Sequence, residues 1–296
     1  MKIHILTLNW NGNKWLNTLK DGLSDNVRVL TMVGRGESRH FHAPYGDPKQ
    51  QWEQSIWYIR DHGSKDGSLE TIKSWEFDDL SPVRVKLFEM GHNRGSFASG
   101  MNFLFEQANP ADDDRVLLLN NDVDMKFNDA LAEMDWIRQK ANADVVGCQL
   151  LYMGTSKIQH AGVIFSKRYN YMPYHYRPGE NSDVESGKPR YFQAVTAAVC
   201  LINPIAFRKV GGFDEKFRWA FDDVDLCLRI GKLKERNIAY SGLPAYHEES
   251  ASLKRNPVNK MFMGRNAAYF KAKWSGQYEI DHDKYLNDPN YNEIKI

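Results

Sequence analysis

The chain has 296 residues, 42% of them hydrophobic and 26% charged, and a formal net charge of +1. That balance excludes a disordered chain and leaves apolar material for one large α/β domain or two small ones. It creates no global field that would draw the chain to nucleic acid or anionic lipid, although local basic patches stay open.

In chain order, KIHILTL reads as a buried strand and NWNGNKWLNTLKDGL as a loop running into a helix. The opening apolar run stops at Asn9, too short for a secretory h-region. RVLTMV is a second apolar run, and residues 34–52 are polar and aperiodic, which reads as a loop or insertion. SIWYI is a strand ending at Asp61; in the segment that follows, Ser68 or Asp66 could cap a helix carrying Leu69 and Ile72. VRVKLFEM is another strand. GHNRGSFASGMNFLFEQA has glycines in its first half and helical spacing in its second. RVLLL is a strand, FNDALAEMDWIRQKA a helix with Leu131, Met134 and Ile137 inward, and DVVGCQLL a strand again. Such alternation implies right-handed βαβ units and a mainly parallel sheet. Ligands bind such sheets at the carboxyl ends of the strands, so Asp61 and Asp122 should share one crevice.

The second half is less regular. Residues 166–191, rich in tyrosine with Pro, Gly and charges, read as a mobile aromatic loop. FQAVTAAVCLI, a turn at Asn203–Pro204, the acidic FDDVDLCLR, the segment around YHEES and a polar tail follow. Cys148, Cys200 and Cys227 are odd in number and form no CxxC pair, which favours buried free thiols in a reducing compartment. No stretch approaches the ~18 apolar residues of a membrane span. The expected location is cytoplasmic, at most peripheral at a membrane.

Two acidic groups carry most of the chemistry. Asp122 and Asp124 alternate at a strand end, ~6–7 Å apart along an extended chain. If the chain turns there, both could reach one hard divalent cation; the plainer reading is that Asn120, Asn121 and Asp122 only turn the chain. Asp222, Asp223 and Asp225 crowd a helix start, where the helix dipole favours negative charge. Adjacent carboxylates also raise one another's proton affinity, which suits a general base. His247 in YHEES, taken alone, is more commonly a surface or core residue. In NRGSFASGMN, with Asn93, Arg94 and Asn102, small residues allow a ligand or a packed sheet to come close. Its glycines match neither a dinucleotide fingerprint nor a P-loop.

TLNWNG, RDHGSKDGS, HNRGSFASGMN, LLLNNDVDM, GGFDEKFRWAFDDVDLCLR and HEESAS, in this order, resemble the motif run of the family 2 inverting GT-A glycosyltransferases. The likeness is to bacterial and viral surface-glycan, rhamnosyltransferase-like members and spans roughly residues 1–253. It implies an α/β fold, the Rossmann-like GT-A fold of the nucleotide-diphospho-sugar transferases, with a mixed, mainly parallel sheet flanked by helices. It implies one catalytic domain over 1–253, with a nucleotide-binding half (1–125) and an acceptor half (126–253). Residues 254–296 would be a helical or irregular extension.

By the same resemblance, Asp61 is similar to the residue that hydrogen-bonds the nucleobase, with Thr7 and Asn9 near that pocket. Asp122 looks like the main metal ligand, Asp124 compensates for Asn120 at the first motif position, and His247 completes the metal site. Asp223 matches the catalytic base, and Asp222 stands where Glu is commoner. Asn93, Arg94 and Asn102 would face substrate. Trp219 and the tyrosine-rich loop would offer aromatic faces to sugar, or else serve packing or dimer contacts. The implied cofactor is Mn²⁺ or Mg²⁺. The implied partners are a UDP-, GDP- or dTDP-sugar donor and a glycan or lipid-linked saccharide acceptor, with no nucleic acid and at most peripheral membrane contact. HGS stands where NGS is commoner, and AVTAAVC where Gly-Ala is frequent. Two rivals are a nucleotidylyltransferase, whose Gly-rich basic N-terminal loop LNWNGNKW hardly supplies, and a catalytically silent carbohydrate-binding module, which has no use for a base beside a metal.

Overall fold

The computed structural model describes residues 1–34, 53–76, 81–93, 95–125, 129–218, 220–248 and 257–295. The first half alternates as expected: β1 (Ile3–Asn9), α1 (Asn13–Gly34), β2 (Ser55–Asp61), α2 (Ser68–Lys73), β3 (Val83–Glu89), α3 (Phe97–Ala108), β4 (Arg115–Leu119), a short β5 (Val123–Asp124), α4 (Ala130–Ala141) and β6 (Val145–Tyr152). The second half adds β7 (Ile158–His160), β8 (Val163–Phe165), β9 (Pro173–His175), β10 (Arg190–Tyr191), β11 (Val199–Ile202), α5 (Pro204–Lys209), α6 (Asp222–Gly231), β12 (Ile238–His247), α7 (Pro257–Trp274) and α8 (His282–Asn287).

Ten strands form one sheet along the path β10-β12-β6-β11-β4-β1-β2-β3, with β5 on β12 and β7 on β6. Strands β1 to β4 pair in parallel, as does β12 with β6. Strand β11 runs antiparallel between β4 and β6, so the sheet is mixed but mainly parallel. Side chains alternate faces along each strand and feed two cores. In β4, Val116 and Leu118 join the core that holds Met101, Phe207, Leu226 and Phe270, while Leu117 and Leu119 join Leu16, Leu23, Leu131 and Ile137 on the other face.

Several local expectations change. RVLTMV is no separate element but the last turns of α1, because Leu16, Leu19, Leu23, Val27 and Leu30 recur every three or four residues and are all buried. Residues 35–52, most of the expected insertion, lie outside the described residues. Asn203–Pro204 starts α5 rather than closing a turn: the Asn203 side chain accepts from the Ile205 amide and Pro204 needs no donor there. The 166–191 segment is built structure. It contributes β9, which pairs with β8, stacks Tyr169 on Tyr174 with centroids 4.0 Å apart, and buries Tyr176 against Phe192 and Tyr285. Beneath it, buried Glu185 pairs with Arg177 and Arg190 at 2.8 and 3.0 Å. These aromatics pack. Phe270, Trp274 and Tyr285 from α7 and α8 enter the same core as the sheet. All three cysteines are buried free thiols. No described helix is long and apolar enough to cross a membrane.

Candidate active site

Parallel β1, β2 and β4 place their carboxyl ends side by side, and a run of hydrogen bonds crosses them. The Asn121 amide donates to Asn9 Oδ1 at 2.8 Å, and Asn9 Nδ2 donates to Asp61 Oδ2 at 2.7 Å. Asp61 also accepts from the Gly63 amide, the Ser64 amide and the Ser64 hydroxyl, at 2.9, 2.9 and 2.6 Å. A Cβ on Gly12 would stand 2.2 Å from Asn121 Nδ2 and 2.5 Å from Asn9 Oδ1, so the bracing needs glycine there. Asp61 is fully buried, and these four donors brace its carboxylate at the strand ends. Thr7 is fully buried too, and its hydroxyl accepts from the Trp57 indole at 2.9 Å.

Asp122 follows the β4 end, and the antiparallel pairing of β12 with β5 sets His247 opposite Val123. His247 Nε2 therefore lies 3.2 Å from Asp122 Oδ1 and 3.3 Å from Asn120 Nδ2. Gln159 orients the ring from behind. Its Nε2 donates to the His247 carbonyl at 3.2 Å, which turns its Oε1 toward His247 Nδ1 at 2.6 Å. An amide oxygen can only accept, so Nδ1 carries a proton, and in the neutral tautomer that this selects the Nε2 lone pair faces Asp122. A lone pair facing a carboxylate is repulsive unless a cation lies between them. Two such protein ligands suit a hard divalent ion that takes the rest from substrate phosphates and water. Asp124 sits on β5 opposite Tyr246 of β12. Among the described residues no group of three His, Cys, Asp or Glu converges as a metal cage.

The acidic cluster divides its labour. Asp225, fully buried, accepts from Arg229 Nε at 2.8 Å, Lys273 Nζ at 2.7 Å and the Trp274 indole at 2.8 Å, which makes it a structural anchor. Asp222 is 7% exposed, and burial, then the charge of Asp223, pushes its carboxyl well above the usual range. Half-buried Asp223 is the member open to the cleft; its Oδ2 accepts from the Ala197 amide at 3.3 Å. The pair is aimed by backbone in the left-handed region, with φ 64° at Ala220 and 68° at Phe221. The preceding Gly211–Gly212 turn is pinned by Asn102, which bonds both the amide and the carbonyl of Phe213. Gly212 has φ +71°, and a Cβ there would meet Asn102 Oδ1 at 2.6 Å. Asn102 thus braces this turn.

Between the two acidic groups lies a cleft of about 800 Å³. Of the expected site residues, Asn9, Asn93, Asp122, Asp222 and Asp223 line it, and His247 backs it through Asp122. Arg94 and Trp219 lie outside the described residues. His62 and Arg218 line the cleft without having been singled out. Burial, then Arg60, holds His62 below the ordinary imidazole range, and its Nε2 is buried with no hydrogen-bond partner among the described residues. The substitution of His for the commoner Asn after Asp61 was the available signal for it. Gln159 left none in the sequence.

No protein-family model matches the chain. It is 32% identical over 186 residues to the uncharacterized protein y4gI of Sinorhizobium fredii, and 30% identical over 190 residues to the O-antigen biosynthesis protein RfbC of Myxococcus xanthus. Those matches take 60% and 62% of this chain but only 19% and 14% of the relatives, so the chain spans less than a fifth of either. The rhamnosyltransferase WbbL of Escherichia coli is 26% identical over 195 residues, 64% of this chain and 70% of that protein. Among solved structures, the mannosyltransferase PcManGT of Pyrobaculum calidifontis, in complex with GDP-Man and Mn²⁺, superposes with a TM-score of 0.58 at 12% identity, over 98% of this chain and 66% of that one. TarS of S. aureus with UDP-GlcNAc gives 0.54 at 12% identity, over 97% and 72%. Motif order, sheet and superpositions meet in one conclusion: this chain has the GT-A glycosyltransferase fold, and its sequence is similar to bacterial surface-glycan members of family 2.

Proposed function

We propose that the chain transfers a sugar from a nucleoside-diphosphate donor to a hydroxyl of a glycan or lipid-linked acceptor, with metal assistance and inversion. The observation that carries this reading is the facing of two unlike acidic groups across one cleft. On one wall stand Asp122 and His247, 3.2 Å apart; on the other, half-buried Asp223 neighbours Asp222, whose carboxyl burial pushes upward.

A divalent ion, Mn²⁺ or Mg²⁺, would be held by Asp122 and His247 and would offset the diphosphate charge as the nucleotide departs. Asn120, bonded to His247, helps fix that wall. Asp223 accepts the proton of the incoming hydroxyl, whose oxygen attacks the anomeric carbon from the side away from the diphosphate. A single displacement of that kind inverts the configuration. Buried Asp222 keeps its proton, so the pair presents one negative charge to the acceptor, not two. The complexes of PcManGT with GDP-Man and Mn²⁺ and of TarS with UDP-GlcNAc support a nucleotide-sugar donor in this cleft.

Calorimetric titration with UDP, GDP and dTDP, with and without Mn²⁺, tests the reading. Metal-dependent binding of one diphosphate is expected; a preference for triphosphates, or no nucleotide binding at all, would overturn it. In the Asp223→Asn variant, turnover should vanish while donor affinity stays near wild type. Joint loss of both would reassign Asp223 to structure.

A further inference from the structure

A second hollow, of about 570 Å³, opens beside the cleft and is joined to it through Arg218 and Phe262, which line both. Two elements bring three cations to it. The chain just before α6 supplies Lys216 and Arg218, and α7 supplies Arg265. On α7, Phe262, Arg265 and Tyr269 recur at helical spacing and so share one face. Lys216 Nζ lies 5.8 Å from the Tyr269 ring centre and the Arg218 guanidinium 5.9 Å from that of Phe262. Aromatic faces thus hold the cations over the hollow.

Among the described residues no carboxylate lines this hollow. Among the described residues none of the three cations reaches an ion-pair partner, although Lys273, two turns along α7 from Arg265, pairs with both Asp214 and Asp225 at 2.7 Å. Of the acids nearby, Asp214 and Asp225 are committed to Lys273 and Arg229. Three like charges converging on a concave surface repel one another, and a bound polyanion reverses the sign of that interaction. Arginine forks match the oxygens of a phosphate. Met261, 54% exposed, gives the rim an apolar shoulder.

We propose that this hollow binds a phosphate or diphosphate group carried by the acceptor. The inference rests on the sugar-transfer reading above. In that reading the donor's own diphosphate belongs to the Asp122–His247 wall, whereas Arg218 lies in the segment leading directly into Asp222 and Asp223, where the acceptor hydroxyl must lie.

The test is titration with inorganic pyrophosphate in metal-free buffer, in wild type and in Lys216→Ser/Arg265→Ser. Both residues are exposed, so the fold should survive, and an unchanged melting temperature checks that. Saturable binding to wild type, weakened at least about ten-fold in the double variant, is expected for the loss of charge-assisted contacts. A second arm uses vesicles of phosphatidylcholine with and without phosphatidic acid. Retention only by the anionic vesicles, released by pyrophosphate and lost in the double variant, assigns the group to a lipid. Pyrophosphate binding without such retention assigns it to a water-soluble acceptor. No binding by wild type to either probe, or equal binding by the double variant, overturns the proposal. Mn²⁺-dependent nucleoside diphosphate binding, measured on the same samples, should be equal in the two proteins. If wild type lacks it, the sugar-transfer reading fails separately.

Discussion

The identity of Gln159 decides which nitrogen of His247 faces the cleft. Its two bonds to one residue, from its own Nε2 to the backbone carbonyl and from the ring Nδ1 to its Oε1, are mutually consistent in a single amide orientation. Groups that orient a ligating imidazole in this way commonly change metal affinity when replaced. For Gln159→Leu we expect Mn²⁺ affinity to fall by about 10- to 100-fold, with the metal-free melting temperature little changed. Gln159→Glu keeps an acceptor at Nδ1 and should recover much of the affinity. Equal Mn²⁺ titration curves for all three proteins would remove Gln159 from the site. The sequence hid this residue for a definite reason. The pairing of β7 with β6 slips between Leu150 and Leu151, which pair with His160 and Ile158, so Gln159 is the extra residue of a bulge and is re-aimed toward the β12 end. Alternation cannot foresee that. Sequence placed Asp223 in the cleft because its motif is long and specific. It placed Asp61 at the correct strand end but could not count the four donors to its carboxylate.

At the scale of elements, α4 carries a pH-sensitive load. Glu133 is 5% exposed, its Oε2 has no hydrogen-bond partner among the described residues, and burial, then the charge of Asp129, raises its carboxyl to about 7. A raised folded-state value favours the protonated form in the fold. Its contribution is therefore complete below the ordinary glutamate value and is lost as the pH climbs through about 7. A shift of this size is worth on the order of 3 kcal/mol. Asp281, raised to about 6 by burial, acts in the same direction at lower pH. Buried His4, His62 and His160, held below the imidazole range by burial, act in the opposite direction as the pH falls, so the Glu133 contribution is read from the difference between wild type and variant at each pH. Glu133→Gln should raise the melting temperature at pH 8 and leave that at pH 5 nearly alone. A variant whose profile parallels wild type would show that Glu133 is ionised without penalty. The elements themselves were mostly readable, since the strands of the first half are short apolar runs with polar ends. Failures arose where one pattern served two outcomes. The RVLTMV run in α1 is as apolar as a strand, and only its register with Leu16, Leu19 and Leu23 marks it as helix. The β8–β9 ribbon is three residues per strand, too short to show a period.

The whole molecule is tied shut by its C-terminal helices, which bears on whether residues 254–296 form a dispensable extension. Phe270, Trp274 and Tyr285 are each at most 3% exposed and share a core with the sheet. Burying such a side chain contributes roughly 1.5–3 kcal/mol. Asp225, on α6, adds a polar tie, because two of its three partners, Lys273 and Trp274, belong to α7. Removing partners from a buried charge costs about 3–5 kcal/mol. Those terms together rival the 5–15 kcal/mol net stability typical of a domain. A chain ending at residue 253 should therefore lose its cooperative thermal transition, and Trp274→Ala in the full chain should lower stability by about 3–5 kcal/mol. The same helix lends Phe262 to the cleft wall and Arg265 to the basic hollow beside it, so its loss strips that wall as well as the core. Circular-dichroism melts of the truncated and full chains decide the matter. A truncated protein that melts cooperatively at the full-length temperature would mean the sheet and its first six helices close without α7, and the tie through Asp225 would then carry no weight.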